Sequence, residues 1–438
     1  VVDSSEDGFT VLLSKKKTAR FVKELKYLEI PKNRYLEEIF DEVEMQEYVY
    51  AKAPGYYSSK PCESSSSDQY AKIIADLLKE VNDNFYREAI NLELDLYQPK
   101  NDKFKNRPLI VLVHQGAFIV GDKRDAFNVS LAEHYAKCGF VVASINYRMG
   151  FVPIPFVHSN FERAMYRAAQ DARAALRFLS AKHKEFGINP DYFFIGGNSA
   201  GGFISLFAAY MEDYQRFRSS GKNSILFQDD LGCMDCVGNE HKANFTLKGV
   251  INMWGAVADL DIFDEHENIP TLLIHGDLDK IVSCDYDLPF TNVGKYLPSI
   301  FTKKLYGSRP IYEKLKSMNK NVDFYLIENA THEPYEDDDY VFTELYDSIE
   351  YRIKHFMIDQ FKTEKLKLVA LKNSKSKRSA YRAIAKDEVV WHVKGGVVID
   401  KKLNDIEIVW LNNQADKQIH AYELNDLAYV SARKVKIK

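Results

Sequence analysis

Cysteine is scarce. Five residues in 438 (Cys62, Cys138, Cys233, Cys236 and Cys284) are too few for a disulfide scaffold, and the odd count leaves at least one thiol free or paired with another chain. Long hydrophobic runs are missing: no stretch approaches the roughly 18 uncharged apolar residues of a membrane-spanning helix. Charge of one sign is not in excess. A formal net charge of −4 gives no general electrostatic footprint for nucleic acid. The opening residues, Val1-Val2-Asp3-Ser4-Ser5, carry no basic-then-apolar pattern, which decides nothing about a leader removed during processing. No internal repeat is found. Apolar side chains, by contrast, make up 46% of the residues, enough to bury a large core, so a wholly disordered chain is excluded.

The small net charge hides an asymmetry. Residues 363–438 carry a net +7 and the remainder −11. A polar, basic stretch, Lys372-Asn373-Ser374-Lys375-Ser376-Lys377-Arg378, marks a linker, so a boundary is expected over 363–378. Ahead of it, in residues 1–362, apolar runs alternate with helical patterns. The runs are Leu109–Val113, Phe140–Ile145, Tyr192–Ile195, Val250–Trp254, Leu272–Ile274 and Phe324–Ile327, each suited to a strand covered on both faces. Between them, Phe161–Phe186 spaces Met165, Ala168, Ala169, Ala172, Ala175, Leu176 and Leu179 as one helical face. Phe203–Met211 and Tyr340–Phe361 are further helix candidates, and Asn33–Val43 reads as a short helix. Strands at Met45–Lys52 and Leu92–Tyr97 can pair at one edge, around an insertion at 54–89 with a helical pattern over Tyr70–Val81. This alternation predicts a doubly wound, mostly parallel α/β sheet. After the boundary the period changes to two, at Glu388–Val393, Ile406–Trp410, Ile419–Glu423 and Arg433–Ile437. Residues 379–438 are therefore expected to form a small all-β sandwich.

The strongest chemical signal is Gly197-Asn198-Ser199-Ala200-Gly201, between an apolar strand and an apolar helix. A serine on a tight strand-to-helix turn needs small residues on both sides, and the turn presents its hydroxyl at the end of the sheet. That hydroxyl is a poor nucleophile without a base, and the base needs an orienting carboxylate. Downstream, His275-Gly276-Asp277-Leu278-Asp279 follows one apolar strand, and His332 follows another in Asn329-Ala330-Thr331-His332-Glu333-Pro334. The order serine, acid, histidine makes Ser199, Asp279 and His332 the candidate catalytic residues. Acyl transfer also requires donors for an oxyanion. The strand Arg107–Val113 runs into His114-Gln115-Gly116-Ala117-Phe118, whose Gly116 and Ala117 amides, with that of Ala200, could converge on one.

Together these pieces, with Ser144-Ile145-Asn146-Tyr147-Arg148 and Asp171-Ala172-Arg173-Ala174-Ala175, resemble bacterial carboxylesterases and lipase-like esterases of the α/β-hydrolase superfamily over about residues 30–362. The resemblance implies Asp279, not Asp277, as the acid, through its His-Gly-x-x-Asp spacing. It implies carboxylic-ester hydrolysis of a small-molecule or lipid ester through an acyl-enzyme, with no cofactor and no metal. Two positions depart from the pattern. Gln115 stands where the family has its first loop glycine, which would narrow the pocket or add a side-chain donor, and Thr331 replaces a glycine before the histidine. Residues 379–438, with Val390-Trp391-x-Val393-x-Gly395-Gly396 and Ile406-x-Ile408-Val409-Trp410, resemble a PKD-like β-sandwich. Such modules carry no catalytic residues. They imply an extracytoplasmic location, secreted, periplasmic or at the cell surface, and a surface or protein partner.

Cys233-Met234-Asp235-Cys236 sits in a glycine-bearing loop. A local bridge, a bridge to Cys284, free thiols or a metal site are open, although His241 is the only further ligand nearby and zinc needs four. Pocket walls are expected from 54–89 and 212–243. Two other functions share much of this pattern: a peptidase on the same fold, and a surface binding protein whose hydrolase domain is inactive.

Overall fold

The structure is a computed structural model and describes residues 34–55, 89–150, 157–222, 229–291, 303–337 and 339–361, and the strands between 367 and 436. Tyr35–Lys100 and Arg107–Gln360 make one compact unit, and the strands from Lys367 onward belong to a second.

The first unit is built on an eight-stranded sheet. Its strands in chain order are β1 (Val43–Pro54), β2 (Ala89–Pro99), β3 (Arg107–Val113), β4 (Val141–Ile145), β5 (Ile188–Asn198), β6 (Leu247–Met253), β7 (Thr271–Gly276) and β8 (Val322–Ile327). They lie in the order β1-β2-β4-β3-β5-β6-β7-β8. β2 is antiparallel to both neighbours, and every pair from β4 to β8 is parallel. Helices α1 (Ala126–Lys137), α2 (Val157–Ala181), α3 (Ala200–Tyr210), α4 (Ser308–Ser317) and α5 (Glu344–Asp359) connect or follow the strands. The sheet is doubly wound and mostly parallel. Every residue of β3, β4 and β7 is buried, as continuous apolar runs covered on both faces require. From β3 the chain goes first to β4 on one side and then crosses to β5 on the other. The ends of β3 and β5 therefore flank the switch point where such sheets open a crevice.

Three sequence expectations need correction. Asn33–Val43 forms no helix among its described residues. Tyr35 has φ +71° within a turn. The Tyr35, Ile39 and Phe40 amides donate instead to the carbonyls of Cys138 and Lys137. The segment thus caps the carboxyl end of α1, whose last carbonyls lack intrahelical donors. Helices α1 and α4 have no counterpart in the expectation; α1 starts where the Asp125 side chain accepts from the Phe127 and Asn128 amides. Part of the supposed linker is sheet: Lys367–Lys372 is a strand paired antiparallel with Arg378–Ile384. Basic and polar residues occur in strands as well as in loops, which composition alone could not separate. Pro54 ends β1 and Ala89 begins β2; residues 56–88 of the insertion, with the expected helix, lie outside the described residues.

In the second unit, β9 (Lys367–Lys372), β10 (Arg378–Ile384), β11 (Val389–Lys394), β12 (Gly396–Lys402), β13 (Asp405–Trp410), β14 (Gln418–Asn425) and β15 (Tyr429–Lys436) form two small antiparallel sheets, β9-β10-β13-β12 and β11-β14-β15. Tyr381, Trp391, Ile406, Ile408 and Ile419 are buried there.

Candidate active site

Four loops at the carboxyl ends of β3, β5, β7 and β8 carry the sequence-predicted residues, and they converge. Ser199 caps α3 with φ +49° and ψ −117°, a conformation that a non-glycine residue adopts at a cost of order 1–3 kcal/mol. Its amide is bonded to Met253 O at 2.9 Å, which anchors the turn to β6. The turn closes because Gly201 passes directly against β3: a Cβ there would lie 2.0 Å from Val113 O. Ser199 is 8% exposed.

His332, after β8, places Nε2 2.9 Å from Ser199 Oγ and Nδ1 2.6 Å from Asp279 Oδ2. Because an ionised carboxylate only accepts, Nδ1–H donates to Asp279 and Nε2 is left to accept from the serine hydroxyl. Asp279 follows β7 and is buried. Its Oδ1 accepts from the Ile281 and Val282 amides at 2.9 and 3.0 Å. His275 Nε2 stands 3.3 Å from Oδ2 and 2.8 Å from Val282 O. His275 Nδ1 is 2.8 Å from Ser308 Oγ. Burial pushes the Asp279 carboxyl up, but the charges and hydrogen bonds of His332 and His275 outweigh it and hold the group well below the usual carboxylate range. Burial likewise pulls the His332 imidazole down, and the Asp279 charge and hydrogen bond leave it above its ordinary value. Asp277, the other carboxylate after β7, bonds to none of these groups through its side chain; its Oδ1 is buried without a partner among the described residues.

Gly116 and Ala117 lie in the loop after β3, and Ala200 directly follows Ser199. Gly116 has φ +119°, and a Cβ there would meet Val120 O at 1.8 Å, so only glycine fits this turn. The Ile119 and Val120 amides close the turn onto Gly116 O. Ala117 and Phe118 continue at φ +54° and +63°. These are successive positive-φ residues, and at the start of α3 Ala200 is the first helical residue, whose amide has no intrahelical acceptor. His114, preceding this loop, is wholly buried, and burial holds its imidazole down at about 4, so it is neutral. Its ring stacks on Tyr147 at 4.3 Å.

Sequence reasoning left the Gln115 side chain with two possible roles. Both hydrogens of its amide nitrogen are already used, by Glu333 Oε1 and by Tyr335 OH at 3.1 Å, and its carbonyl oxygen accepts from Asn198 Nδ2 at 2.9 Å. No proton is left to donate to a reacting oxygen. Glu333, Tyr335 and Asn198 were not singled out in the sequence; the one pointer to them was the departure from glycine at Gln115. Acidic groups crowd this side of the site. Asp125 is raised to about 6 by burial, with the Glu333 and Asp122 charges adding to it. Glu336 is raised to about 7 by burial and by Glu333 and Asp125.

Cys233 and Cys236 are disulfide-bonded, and Cys138 and Cys284 are free and buried. Of the alternatives left open by the sequence the structure shows the local bridge, and no metal-binding group of three His, Cys, Asp or Glu occurs among the described residues. The loop around the bridge is held on α2: Arg173 and Arg177 bond Asp235, and Gln170 Nε2 bonds Cys233 O at 2.9 Å. Among the described residues no helix is long and apolar enough to cross a membrane.

Residues 94–269 match the BD-FAE family model, a span that holds the β3 loop and Ser199 but neither Asp279 nor His332. The chain is 31% identical over 134 residues to carboxylesterase 1C of Rattus norvegicus, covering 30% of this chain and 24% of that one. It is 31% identical over 126 residues to the probable carboxylic ester hydrolase LipM of Mycobacterium tuberculosis, covering 28% and 27%. The matched stretch thus spans about a quarter of the length of these relatives. Among solved structures, the apo form of Thermogutta terrifontis esterase 2 is similar at 17% identity and a TM-score of 0.44, covering 63% of this chain and 92% of that one.

Proposed function

We propose that this chain hydrolyses carboxylic esters through an acyl-enzyme, with Ser199 as nucleophile, His332 as general base and acid, and Asp279 as the carboxylate that orients it. The observation that carries this is the continuous hydrogen-bond relay from Asp279 Oδ2 through His332 to Ser199 Oγ, at 2.6 and 2.9 Å. Ser199 Oγ attacks the ester carbonyl while its proton passes to His332 Nε2. The carbonyl oxygen becomes an oxyanion, which the Gly116, Ala117 and Ala200 amides accommodate. Collapse breaks the bond to the alcohol, which leaves with the proton from His332. Water then attacks the acyl-serine, His332 takes its proton, and a second collapse releases the acid and restores the hydroxyl. Asp279 stays ionised throughout, held by its two backbone donors and two histidines. Relatives whose names are esterases and ester hydrolases favour esters over peptides as substrates.

The location is proposed to be extracytoplasmic, supported by the Cys233–Cys236 bridge. The two C-terminal sheets, which contribute none of these residues, are proposed to act as a PKD-like module that binds a surface or a protein. A panel of chromogenic esters of increasing acyl length, run on the wild type and Ser199→Ala, tests the activity. Turnover lost by at least about 10³-fold in the variant supports it. Peptide but not ester cleavage would assign a peptidase, and turnover by neither would leave a binding role.

A further inference from the structure

The bonds made by Gln115 follow a pattern. Gln115 precedes the oxyanion residue Gly116, Asn198 precedes Ser199, and Glu333 follows His332. The Gln115 carboxamide joins all three, accepting from Asn198 Nδ2 and donating to Glu333 Oε1. Its second donor reaches Tyr335, which is buried and stacks on Trp254 at 5.6 Å, so the contact is fixed on a rigid wall. We infer that Gln115 is a positioning residue, a cross-brace that sets the distances between the oxyanion donors, the nucleophile and the base. This rests on the ester-hydrolase reading above and adds to it a residue that does not touch the reacting atoms.

The chemistry of the site requires such a brace. The three loops come from β3, β5 and β8, and β8 lies at the far edge of the sheet, not next to the other two. β3 and β8 are separated in the sheet by β5, β6 and β7, so no direct strand pairing fixes the distance between the β3 loop and the His332 loop. An error of about 1 Å in a reacting geometry can cost 10²-fold in rate. A carboxamide is the one neutral side-chain group that can accept from an amide and donate twice, to a carboxylate and to a hydroxyl.

The test compares Gln115→Met, Gln115→Glu and the exchanged pair Gln115→Glu with Glu333→Gln, with folding checked by cooperative thermal unfolding and near-ultraviolet circular dichroism. Gln115→Met keeps the volume and removes all three bonds; kcat should fall about 10- to 100-fold with KM within about threefold. Gln115→Glu sets two carboxylates face to face and should lose at least about 100-fold. The exchanged pair restores one donor, one acceptor and a single charge at the contact, and should recover kcat at least about tenfold over Gln115→Glu. A space-filling role would not produce that recovery. Gln115→Met within about threefold of wild-type kcat, or no recovery in the exchanged pair, overturns the brace. If Gln115→Met does not fold, the exchange carries the decision. Ester turnover abolished by Ser199→Ala is scored separately, so failure of the ester reading is distinguishable. In that event the same variants are ranked by the rate at which a fluorophosphonate modifies Ser199. The brace predicts the same order there, and equal rates in all variants would overturn it.

Discussion

Asp279→Asn separates charge and tautomer from shape. Asp279 accepts three hydrogen bonds, from Ile281 and Val282 on Oδ1 and from His332 on Oδ2, and His275 Nε2, which donates to Val282 O, lies 3.3 Å from Oδ2. Asparagine must put its NH2 at one of those oxygens. At Oδ1 it would face two backbone N–H groups fixed by the turn after β7, donor against donor. At Oδ2 it faces imidazoles, and His332 can adapt by moving its proton from Nδ1 to Nε2. The amide therefore settles at Oδ2. Nε2 of His332 then carries a proton and cannot take one from Ser199 Oγ, 2.9 Å away. Holding a histidine in the wrong tautomer in such a relay costs about 10⁴-fold in kcat, or about 5 kcal/mol of transition-state stabilisation. Loss of Ser199 or His332 should cost more, since each removes a reacting atom. The assay is steady-state kcat and KM on a short-chain chromogenic ester, for Asp279→Asn beside Asp277→Asn. The Asp277 variant should stay within about threefold, because its side chain bonds to none of the other three groups. An Asp279→Asn enzyme within tenfold of wild type, or an Asp277→Asn enzyme more impaired, would refute the assignment of the acid.

The remaining predictions concern pH, packing and the tail. Asp279 raises the His332 pKa, and a protonated His332 cannot act as base, so kcat/KM should fall as pH drops through a value above the ordinary imidazole 6.5. A pH–rate profile checks this, and an acid limb well below 6.5 would contradict it. For stability the raised His332 pKa works the other way: its contribution is full below about 6.5, the unfolded value, and is lost as pH rises through the folded one. Gly201→Ala should destabilise by about 1–3 kcal/mol or more, because its Cβ would meet the Val113 backbone oxygen at 2.0 Å; thermal unfolding reads it, and an unchanged Tm would show that the elbow can open. A chain ending at Gln360, ahead of strand β9, should keep kcat/KM within about tenfold on a small soluble ester. A greater loss from a monodisperse, cooperatively folded protein would mean that the C-terminal sheets help to build the site.

What could be read from the sequence follows the range of the interactions. The strands were legible because burial on both faces leaves continuous apolar runs, as in Leu109–Val113 and Leu272–Ile274. The serine turn was legible because its constraint is local: Gly197 and Gly201 sit within two residues of Ser199, where side chains would strike β3 and the turn itself. Asp279 and His332 needed chain order as well as local pattern, and the structure brings them together across 53 residues. The role of Gln115 was not legible, since its partners lie 83, 218 and 220 residues away and a glutamine side chain advertises none of them. Asn33–Val43 was misread for a related reason. Its amides serve the carboxyl end of α1, some 100 residues later, and local propensity carries no record of that. Cys233 and Cys236 could be listed as a pair but not assigned, because spacing alone suits a bridge, a free pair or part of a metal site.

The most direct test of the account is the covalent step. The wild type mixed with a slowly deacylating activated ester, quenched with acid within the first turnovers and analysed by intact and peptide mass spectrometry, should carry one acyl group, on Ser199. Ser199→Ala should carry none, and His332→Ala should acylate at least about 10³-fold more slowly. Ester turnover without an acyl adduct under burst conditions, or an adduct on any residue other than Ser199, would contradict it.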